Sequence, residues 1–458
     1  MRLLTICFCL LLLSGCASYG VIDNTPVTEA TDVQPYSIAA LSGRKGSGDI
    51  ALTLAFSGGG TRAAALAYGV LEELRDTTVV IDGQPRRLLD EIDNISSVSG
   101  GSFTSAYYGL YGERIFEDFK DTFLRRDVES QLLHRLFNPL RWFSSKGRTE
   151  MAVELYEQEV FHDATYADML HAGGPLIIIN ASDLGYGVRF SFVQEYFDLL
   201  CSNLLTFPVA RAVAASSAVP ILFQPVVIED FHDCRNQGKP EWMQEAEKRA
   251  AKNPNPALEQ ILRGLETYSD KENRDYAHFV DGGITDNLGL RAVYDVMEFS
   301  GGPRLFYQQV GRSPPRYVTI ISVNASTDPE PEMDQSTKQP SIKETISAMS
   351  NVQLHLYNEA TLDLMQMSLA KWAQDISTPD FPIKPYFVKL GFIDIEQPEQ
   401  RRFFNEIPTS FTLSEEQVNR LIEAGHELLR NNPDYQRLLH DLGGARLQTS
   451  STPAMRQR

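Results

Sequence analysis

The chain has 458 residues, of which 43% are apolar and 22% charged, a composition typical of folded globular proteins rather than disordered or fibrous ones. Its formal charge of −18 argues against nucleic acid as a partner, because phosphate binding needs clustered Lys and Arg. The same charge is repelled by anionic membranes, so any membrane contact needs another source of affinity. Five Cys without a CxxC pair exclude a disulfide scaffold and a structural zinc site.

The first segment of the chain is typical of an export signal. Arg2 precedes an apolar run from Leu3 to Leu13, which is shorter than the roughly 20 residues that span a bilayer. The run ends in LSGC (residues 13–16), which resembles a bacterial lipobox and implies that Cys16 is lipidated. The alternative is an ordinary signal peptide cleaved near residue 17. We therefore expect a signal peptide at 1–15 and a lipid-anchored protein of the bacterial cell envelope, at the outer membrane and facing the periplasm.

The next segment, residues 16–48, is rich in Ser, Gly, Thr and Pro and has no hydrophobic period. This composition predicts a tether between the lipid and the folded part of the chain. Once the signal is removed, Cys201 and Cys234 are the remaining thiols. They could form a disulfide in an oxidising compartment, and two free buried Cys are the alternative.

From residue 49 onward, short apolar runs alternate with helical patterns. The sequence predicts strands at 50–56, 92–98, 175–181, 188–193, 279–281 and 317–323, with helices at 62–75, 103–111 and 208–215. This alternation predicts an α/β fold with a mainly parallel central sheet covered on both faces. Residues 230–277 form a polar, partly helical insertion in a domain that spans 49–325. Residues 326–458 form a mostly helical C-terminal region, with helices at 342–370 and 414–430 and a strand at 386–390.

Three glycines follow the first predicted strand in the sequence FSGGGTRA, residues 56–63. Gly58, Gly59 and Gly60 leave backbone N–H groups bare, so such a loop can bind a phosphate or stabilise an oxyanion. A phosphate-binding P-loop would need Gly-Lys-Ser/Thr after the glycines, which is absent. The spacing also fits a dinucleotide fingerprint weakly, and a plain tight turn is a further alternative.

The second motif is SVSGG, residues 97–101, at a predicted strand-to-helix junction. A nucleophile elbow has the form G-x-S-x-G, with small residues around a Ser held on a strained turn. Ser97 stands in place of the first Gly, and Gly101 occupies the last position. The nucleophile would be Ser99, at the N-terminus of a helix that favours negative charge.

The third motif is FVDGG, residues 279–283, in which Asp281 ends an apolar strand and Gly282 and Gly283 follow. A carboxylate at the end of a strand lies where open α/β sheets bind their ligands. An Asx-turn without chemistry is the alternative.

The order of glycine loop, Ser elbow and Asp-Gly resembles the patatin-like phospholipase family over about residues 50–325. The small-residue segment AASSAVP, residues 214–220, adds to the resemblance. The resemblance implies that Ser99 is the nucleophile, that Asp281 is its base without a His, and that Gly58, Gly59, Gly60 and Arg62 form the oxyanion loop. It also implies a three-layer fold and a membrane lipid or phospholipid substrate. No metal or other cofactor is expected, since no His, Asp and Glu cluster has ligand spacing.

Two other functions are open at this point. A Ser-His-Asp esterase could take its base from His355, His426 or His440, which follow Asp281 in the hydrolase order. The chain could instead be a non-catalytic, membrane-anchored lipoprotein that binds lipid or a protein partner. Residues 326–458 carry no motif that identifies a protein partner.

Overall fold

The structure, a computed structural model, describes residues 19–27, 34–43, 46–127, 147–220, 222–232, 239–328, 337, 339–443 and 445–446. The strands are β1 (Thr25–Pro26), β2 (Ile50–Phe56), β3 (Thr77–Ile81), β4 (Gln84–Arg87), β5 (Ile92–Val98), β6 (Leu176–Asp183), β7 (Arg189–Ser191), β8 (Ser202–Asn203), β9 (Val226–Glu229), β10 (Tyr276–Val280), β11 (Tyr317–Asn324), β12 (Lys384–Gly391) and β13 (Ala445–Arg446). The α-helices span Ile38–Leu41, Thr61–Asp76, Gly100–Tyr111, Ile115–Phe119, Arg148–Tyr156, Tyr166–Ala172, Gln194–Leu199, Val209–Ser216, Glu241–Lys252, Pro256–Glu266, Gly283–Asp286, Leu290–Ser300, Pro303–Gln309, Ile342–Ile376, Pro398–Asn405, Glu415–Asn431 and Pro433–Asp441.

A central sheet of eight strands organises the molecule, in the order β12-β11-β2-β5-β6-β10-β9, with β7 paired to β6. The five strands from β12 to β6 run parallel, and β10, β9 and β7 are antiparallel to their neighbours. Strands β2, β6 and β11 are rich in apolar residues because helices cover both faces of the sheet, whereas β5 (IDNISSV) carries four polar residues. The predicted α/β fold with a mainly parallel sheet is confirmed.

The two faces of the sheet belong to separate apolar cores, which gives three layers. Leu54 and Phe56 of β2 lie in a large core that includes the helix Thr61–Asp76. Ala55, between them, faces the other side and packs with side chains of Leu290–Ser300 and Ile342–Ile376. This alternation follows from the two-residue period of a strand.

The region after residue 325 is mostly helical, as predicted, and it completes the sheet and the larger core. Strand β12 pairs with β11 along its whole length. The helix Glu415–Asn431 packs on Thr61–Asp76 through two glycines, Gly69 and Gly425. A Cβ atom at Gly425 would lie 2.5 Å from the carbonyl oxygen of Leu66. Such close approach requires glycine and fixes the C-terminal helices against the core.

The N-terminal segment differs from a free tether where the structure describes it. The amide side chain of Asn24 makes two hydrogen bonds with the backbone of Glu229, at 2.9 and 3.0 Å. Tyr36 is buried, and its hydroxyl accepts the Ile177 N–H at 2.8 Å. Apolar side chains here lower the free energy of the packed state, which composition alone does not reveal. Cys16 and the signal peptide lie outside the described residues.

The polar insertion contains two amphipathic helices, Glu241–Lys252 and Pro256–Glu266, which turn Met243, Leu258 and Leu262 into the large core. None of the helices in the described part of the chain combines the length and the apolar character needed to cross a membrane.

Candidate active site

Ser99 lies at the junction between β5 and the helix Gly100–Tyr111, with φ 50° and ψ −120°. A non-glycine residue in this region is strained, and such strain is found at nucleophile elbows. The turn needs small neighbours. A Cβ atom at Gly101 would lie 2.7 Å from that of Phe56, and one at Gly100 would overlap the carbonyl of Gly60. Ser97, which replaces the usual Gly, is fully buried, and its hydroxyl accepts a hydrogen bond from Ser105 at 2.6 Å.

The Ser99 hydroxyl donates a hydrogen bond to Asp281 Oδ2 at 2.8 Å. The other carboxylate oxygen accepts the Gly283 N–H, also at 2.8 Å. Burial raises the pKa of Asp281 to about 6, and these two hydrogen bonds oppose the rise by stabilising the carboxylate. The arrangement is a serine hydroxyl bonded to a carboxylate of unusually high basicity.

The antiparallel strand β10 explains how Asp281 reaches Ser99. Val98 of β5 is level with Asn180 of β6, and β6 continues to Asp183. Strand β10 runs back along this extension, with Val280 opposite Ser182, so its C-terminal end returns to the level of Ser99. Two main-chain hydrogen bonds hold it there. The N–H groups of Asp281 and Gly282 donate to the carbonyls of Ala218 and Ser216, both at 3.0 Å.

Ser216 supports the elbow from below, a role that the sequence did not predict. Its hydroxyl oxygen accepts the Ser99 N–H at 2.8 Å, and the hydroxyl donates to the carbonyl of Asn180 at 2.6 Å. The Asn180 amide in turn donates to the carbonyl of Ser97 at 3.1 Å. The small-residue segment 214–220 pointed to this part of the chain. It contains two adjacent serines, however, and the sequence does not indicate which of them contacts the elbow.

The glycine loop lies directly over Ser99. A Cβ atom at Gly58 would lie 3.4 Å from that of Ser99. The Gly58 N–H donates to the carbonyl of Asn287 at 3.0 Å, so it is already engaged. Within the described residues, the N–H groups of Gly59 and Gly60 have no acceptor, and both residues have positive φ, at 138° and 61°. Two amides of this loop are therefore available to a ligand.

Arg62 has a different position from that of an oxyanion donor. Its side chain is buried, and its guanidinium donates to the carbonyls of Ala325, at 2.8 Å, and Ile407 and to the Thr409 hydroxyl at 3.1 Å. These bonds attach the helix that follows the glycine loop to the C-terminal region. Burial without a carboxylate partner lowers the pKa of Arg62 to about 10.

The three histidines considered as bases bond elsewhere. His355 contacts the carbonyl of Thr327 at 3.1 Å, His426 contacts Glu72 at 3.1 Å, and His440 contacts its neighbour Asp441 at 3.3 Å. In the described part of the chain, the contact partner of the Ser99 hydroxyl is a carboxylate.

The described residues include only part of what is needed to examine the expected absence of a metal site and the predicted disulfide. Across the described ranges, no cluster of three or more His, Cys, Asp and Glu side chains could hold a metal ion. Cys201 is disulfide-bonded. Cys234 lies outside the described residues, so its pairing with Cys201 stays a prediction.

Comparison with known proteins identifies the family. The model of the family described as Patatin-like phospholipase matches residues 54–294, just over half of the chain. A solved structure of human GIVD cytosolic phospholipase A2 superposes with a TM-score of 0.43 and 13% identity, covering 86% of this chain and 60% of that one. The same human enzyme in complex with methyl gamma-linolenyl fluorophosphonate gives a TM-score of 0.39 and 12% identity, covering 93% and 69%. No curated protein matches the sequence.

Proposed function

Because the chain belongs to the patatin-like phospholipase family, we propose that it is a serine hydrolase of lipid acyl esters, of the phospholipase A or lysophospholipase type. Ser99 is the nucleophile and Asp281 is its base. The observation that carries the proposal is the 2.8 Å hydrogen bond from the Ser99 hydroxyl to the Asp281 carboxylate. A serine hydroxyl is a weak nucleophile by itself and requires a base within hydrogen-bond reach.

The reaction has two steps. Ser99 Oγ attacks the ester carbonyl carbon while Asp281 takes the hydroxyl proton. The N–H groups of Gly59 and Gly60 stabilise the oxyanion, and each such donor is worth about 3–4 kcal/mol in other hydrolases. The C–O bond then breaks, and the leaving alcohol takes the proton from Asp281. Water, activated by the same carboxylate, hydrolyses the acyl-enzyme and frees the fatty acid.

The raised pKa of Asp281 suits this role. A carboxylate with an ordinary pKa near 4 is a poor base at neutral pH, whereas one near 6 is still ionised at pH 7 and accepts a proton more readily. Desolvation in the folded site therefore gives Asp281 the basicity at neutral pH that a histidine provides in a catalytic triad.

Turnover of phosphatidylcholine and lysophosphatidylcholine by the purified chain tests the proposal. Ser99→Ala and Asp281→Asn should each lower kcat by at least about 10³-fold, while His355→Gln, His426→Gln and His440→Gln should keep wild-type kcat. Loss of activity in a His variant alone would favour a Ser-His-Asp esterase. Complete inertness of the wild type with lipid binding intact would favour a non-catalytic lipoprotein.

We also propose that Cys16 carries the acyl anchor and holds the enzyme at the bacterial outer membrane, facing the periplasm. The support is the LSGC sequence at the end of the apolar run. Incorporation of labelled palmitate into the wild type, and its loss in Cys16→Ser, is the expected result. Equal labelling of both chains would contradict the anchor.

A further inference from the structure

The first half of the helix Ile342–Ile376 extends past the catalytic edge of the sheet. This helix connects the parallel strands β11 and β12, so it begins at the edge where Ser99 lies and runs back along the sheet. Asn358 marks the level of the site. Its amide and that of Asn287 both donate to the Ser326 hydroxyl at 3.1 Å, and the Asn287 carbonyl holds the glycine loop. The 16 residues from 342 to 357 thus extend about 24 Å beyond the site at 1.5 Å per residue.

This projecting half carries an apolar stripe on its outer side. Ile342, Met349, Val352 and Leu356 are 81%, 64%, 55% and 63% exposed. Their spacing of seven, three and four residues places them on one strip of the helix surface. The buried face of the same helix, with Met365, Leu369 and Trp372, lies on the opposite side. A helix that faced only water would carry polar residues on this strip.

Two more apolar side chains are exposed next to the site. Ile284, three residues after Asp281, is 54% exposed. Leu222 is 58% exposed and lies four residues after Ala218, whose carbonyl holds the Asp281 N–H. We refer to these two residues and the four of the stripe together as the apolar rim, because all six are exposed and lie at or beyond the catalytic edge of the sheet. Several exposed apolar side chains at one end of a protein indicate an interaction site.

We propose that the apolar rim docks on the surface of a bilayer of zwitterionic lipids, an inference that rests on the proposed function. Charge selects the occupant, because a chain with a net charge of −18 gains nothing from anionic headgroups and needs apolar contact for affinity. A second copy of the chain fits less well. The stripe offers four side chains on one isolated helix, whereas a stable dimer buries about 800 Å² and 20–30 residues on each side.

The start of the described chain also lies on the side of the catalytic edge, which supports an orientation with this edge toward the bilayer. Tyr19 is 78% exposed, and Gly20 is in contact with Val227 near the beginning of β9. Strand β9 begins opposite Phe279, two residues before Asp281. Cys16 is three residues from Tyr19, a reach of at most about 10 Å. An acyl group on Cys16 would therefore enter the bilayer on the side of the catalytic edge.

Docking on the bilayer would give a lipid acyl chain access to Ser99. Ser99 is only 4% exposed, so an acyl chain must leave the bilayer and enter the protein without crossing water. Insertion of the rim at the boundary between headgroups and acyl chains removes its side chains from water and brings the site to the lipid.

The test compares two triple variants in the full chain carrying Cys16→Ser, so that no acyl anchor contributes. The rim variant is Met349→Gln, Val352→Gln and Leu356→Gln, in which Gln keeps the helix propensity. The matched control replaces three exposed apolar residues away from the catalytic edge and from this helix, by Val80→Gln, Leu305→Gln and Phe381→Gln. Three measurements are made on each: sedimentation with phosphatidylcholine vesicles, hydrolysis of vesicle lipid, and hydrolysis of a water-soluble short-chain ester.

The rim variant should lose about tenfold or more in vesicle affinity and in vesicle hydrolysis, with unchanged hydrolysis of the soluble ester, and the control should match the parent in all three. Equal vesicle affinity in the rim variant and the parent would overturn the proposal. So would a parent dimer that the rim variant dissociates while its vesicle affinity stays the same. Rim-dependent vesicle binding by a chain that hydrolyses neither substrate would support docking and contradict the proposed function instead.

Discussion

The hydroxyl oxygen of Ser216 accepts the main-chain N–H of Ser99 at 2.8 Å and so holds the strained residue that we propose as the nucleophile. The same hydroxyl donates to the Asn180 carbonyl on the next strand. The conformation of Ser99 is thus set by a residue 117 positions away in the chain.

Removal of this support should lower both catalysis and stability. Ser216→Ala leaves the Ser99 N–H without its partner, at a cost of about 1–3 kcal/mol, and lets the elbow relax. We expect kcat to fall about 10- to 100-fold with little change in KM. Ser217→Ala is the matched control, because that hydroxyl bonds the Val213 carbonyl at 2.7 Å and not the elbow. Equal kcat values for the two variants would contradict the role of Ser216.

The pH dependence of turnover should report the Asp281 carboxylate. The base must be ionised, and burial raises its pKa to about 6. We therefore expect kcat/KM to rise with pH through a single ionisation near 6 and then to level off. The profile should be the same in His355→Gln, His426→Gln and His440→Gln. A midpoint near 4 would mean that Asp281 is solvated, and a midpoint that changes with one histidine would identify that residue as the base.

The same shift predicts that the Asp281 carboxylate destabilises the fold at neutral pH. The folded protein binds the Asp281 proton more tightly than the unfolded chain, since the pKa rises from 3.8 to about 6. Stability is therefore lost as the pH rises through this window, by about 3 kcal/mol for a shift of about two units. Asp281→Asn should raise the free energy of unfolding by about 1–2 kcal/mol at pH 8, less than the full amount because one acceptor oxygen is lost.

Urea unfolding at pH 8 and pH 4 measures this effect, and most of the gain should be lost at pH 4, where the folded carboxyl is protonated and the unfolded one is only about half ionised. Asp380→Asn, at an exposed position, serves as the control and should change neither value. A gain of the same size at both pH values would show that ionisation is not its cause.

The glycine loop should tolerate no side chain at its third position. Gly60 has φ 61°, and a Cβ atom there would lie 2.5 Å from the carbonyl oxygen of Ser410. Gly60→Ala should therefore displace the loop and lower kcat by about 100-fold, because the amide no longer points at the oxyanion. Gly83→Ala is matched for backbone strain, with φ 74° and no neighbour within 4 Å, and should keep wild-type kcat. Similar kcat values for both variants would contradict the oxyanion role of the loop.

Local features of the fold and of the site could be predicted from the sequence, whereas contacts between distant parts of the chain could not. Strands β2 and β5 were predicted with their observed ends, β2 because it is a nearly continuous apolar run and β5 because apolar residues stand at both of its ends before a turn of small residues. Ser99 and Asp281 were proposed because each follows the last apolar residue of a strand and precedes two glycines. The order of these signals along the chain was enough to predict the pair.

Distant contacts had no such local signal. The Gly58 amide is engaged by the carbonyl of Asn287, and Arg62 bonds residues of the 407–409 segment, more than 340 positions away. Backbone carbonyls carry no sequence signature, so neither partner could be identified before the fold was known. The packing of residues 19–27 and 34–43 on the domain was missed for a related reason, since Tyr36 alone among polar neighbours does not predict where it is buried.

Covalent labelling of the chain with a fluorophosphonate, followed by mass-spectrometric mapping of the modified peptide, tests the central claim most directly. The reagent should modify Ser99 in the wild type, and Asp281→Asn should slow that labelling by at least about 100-fold without moving it to another residue. Modification of a different serine, or labelling of Ser99 at the wild-type rate when the carboxylate is gone, would contradict it.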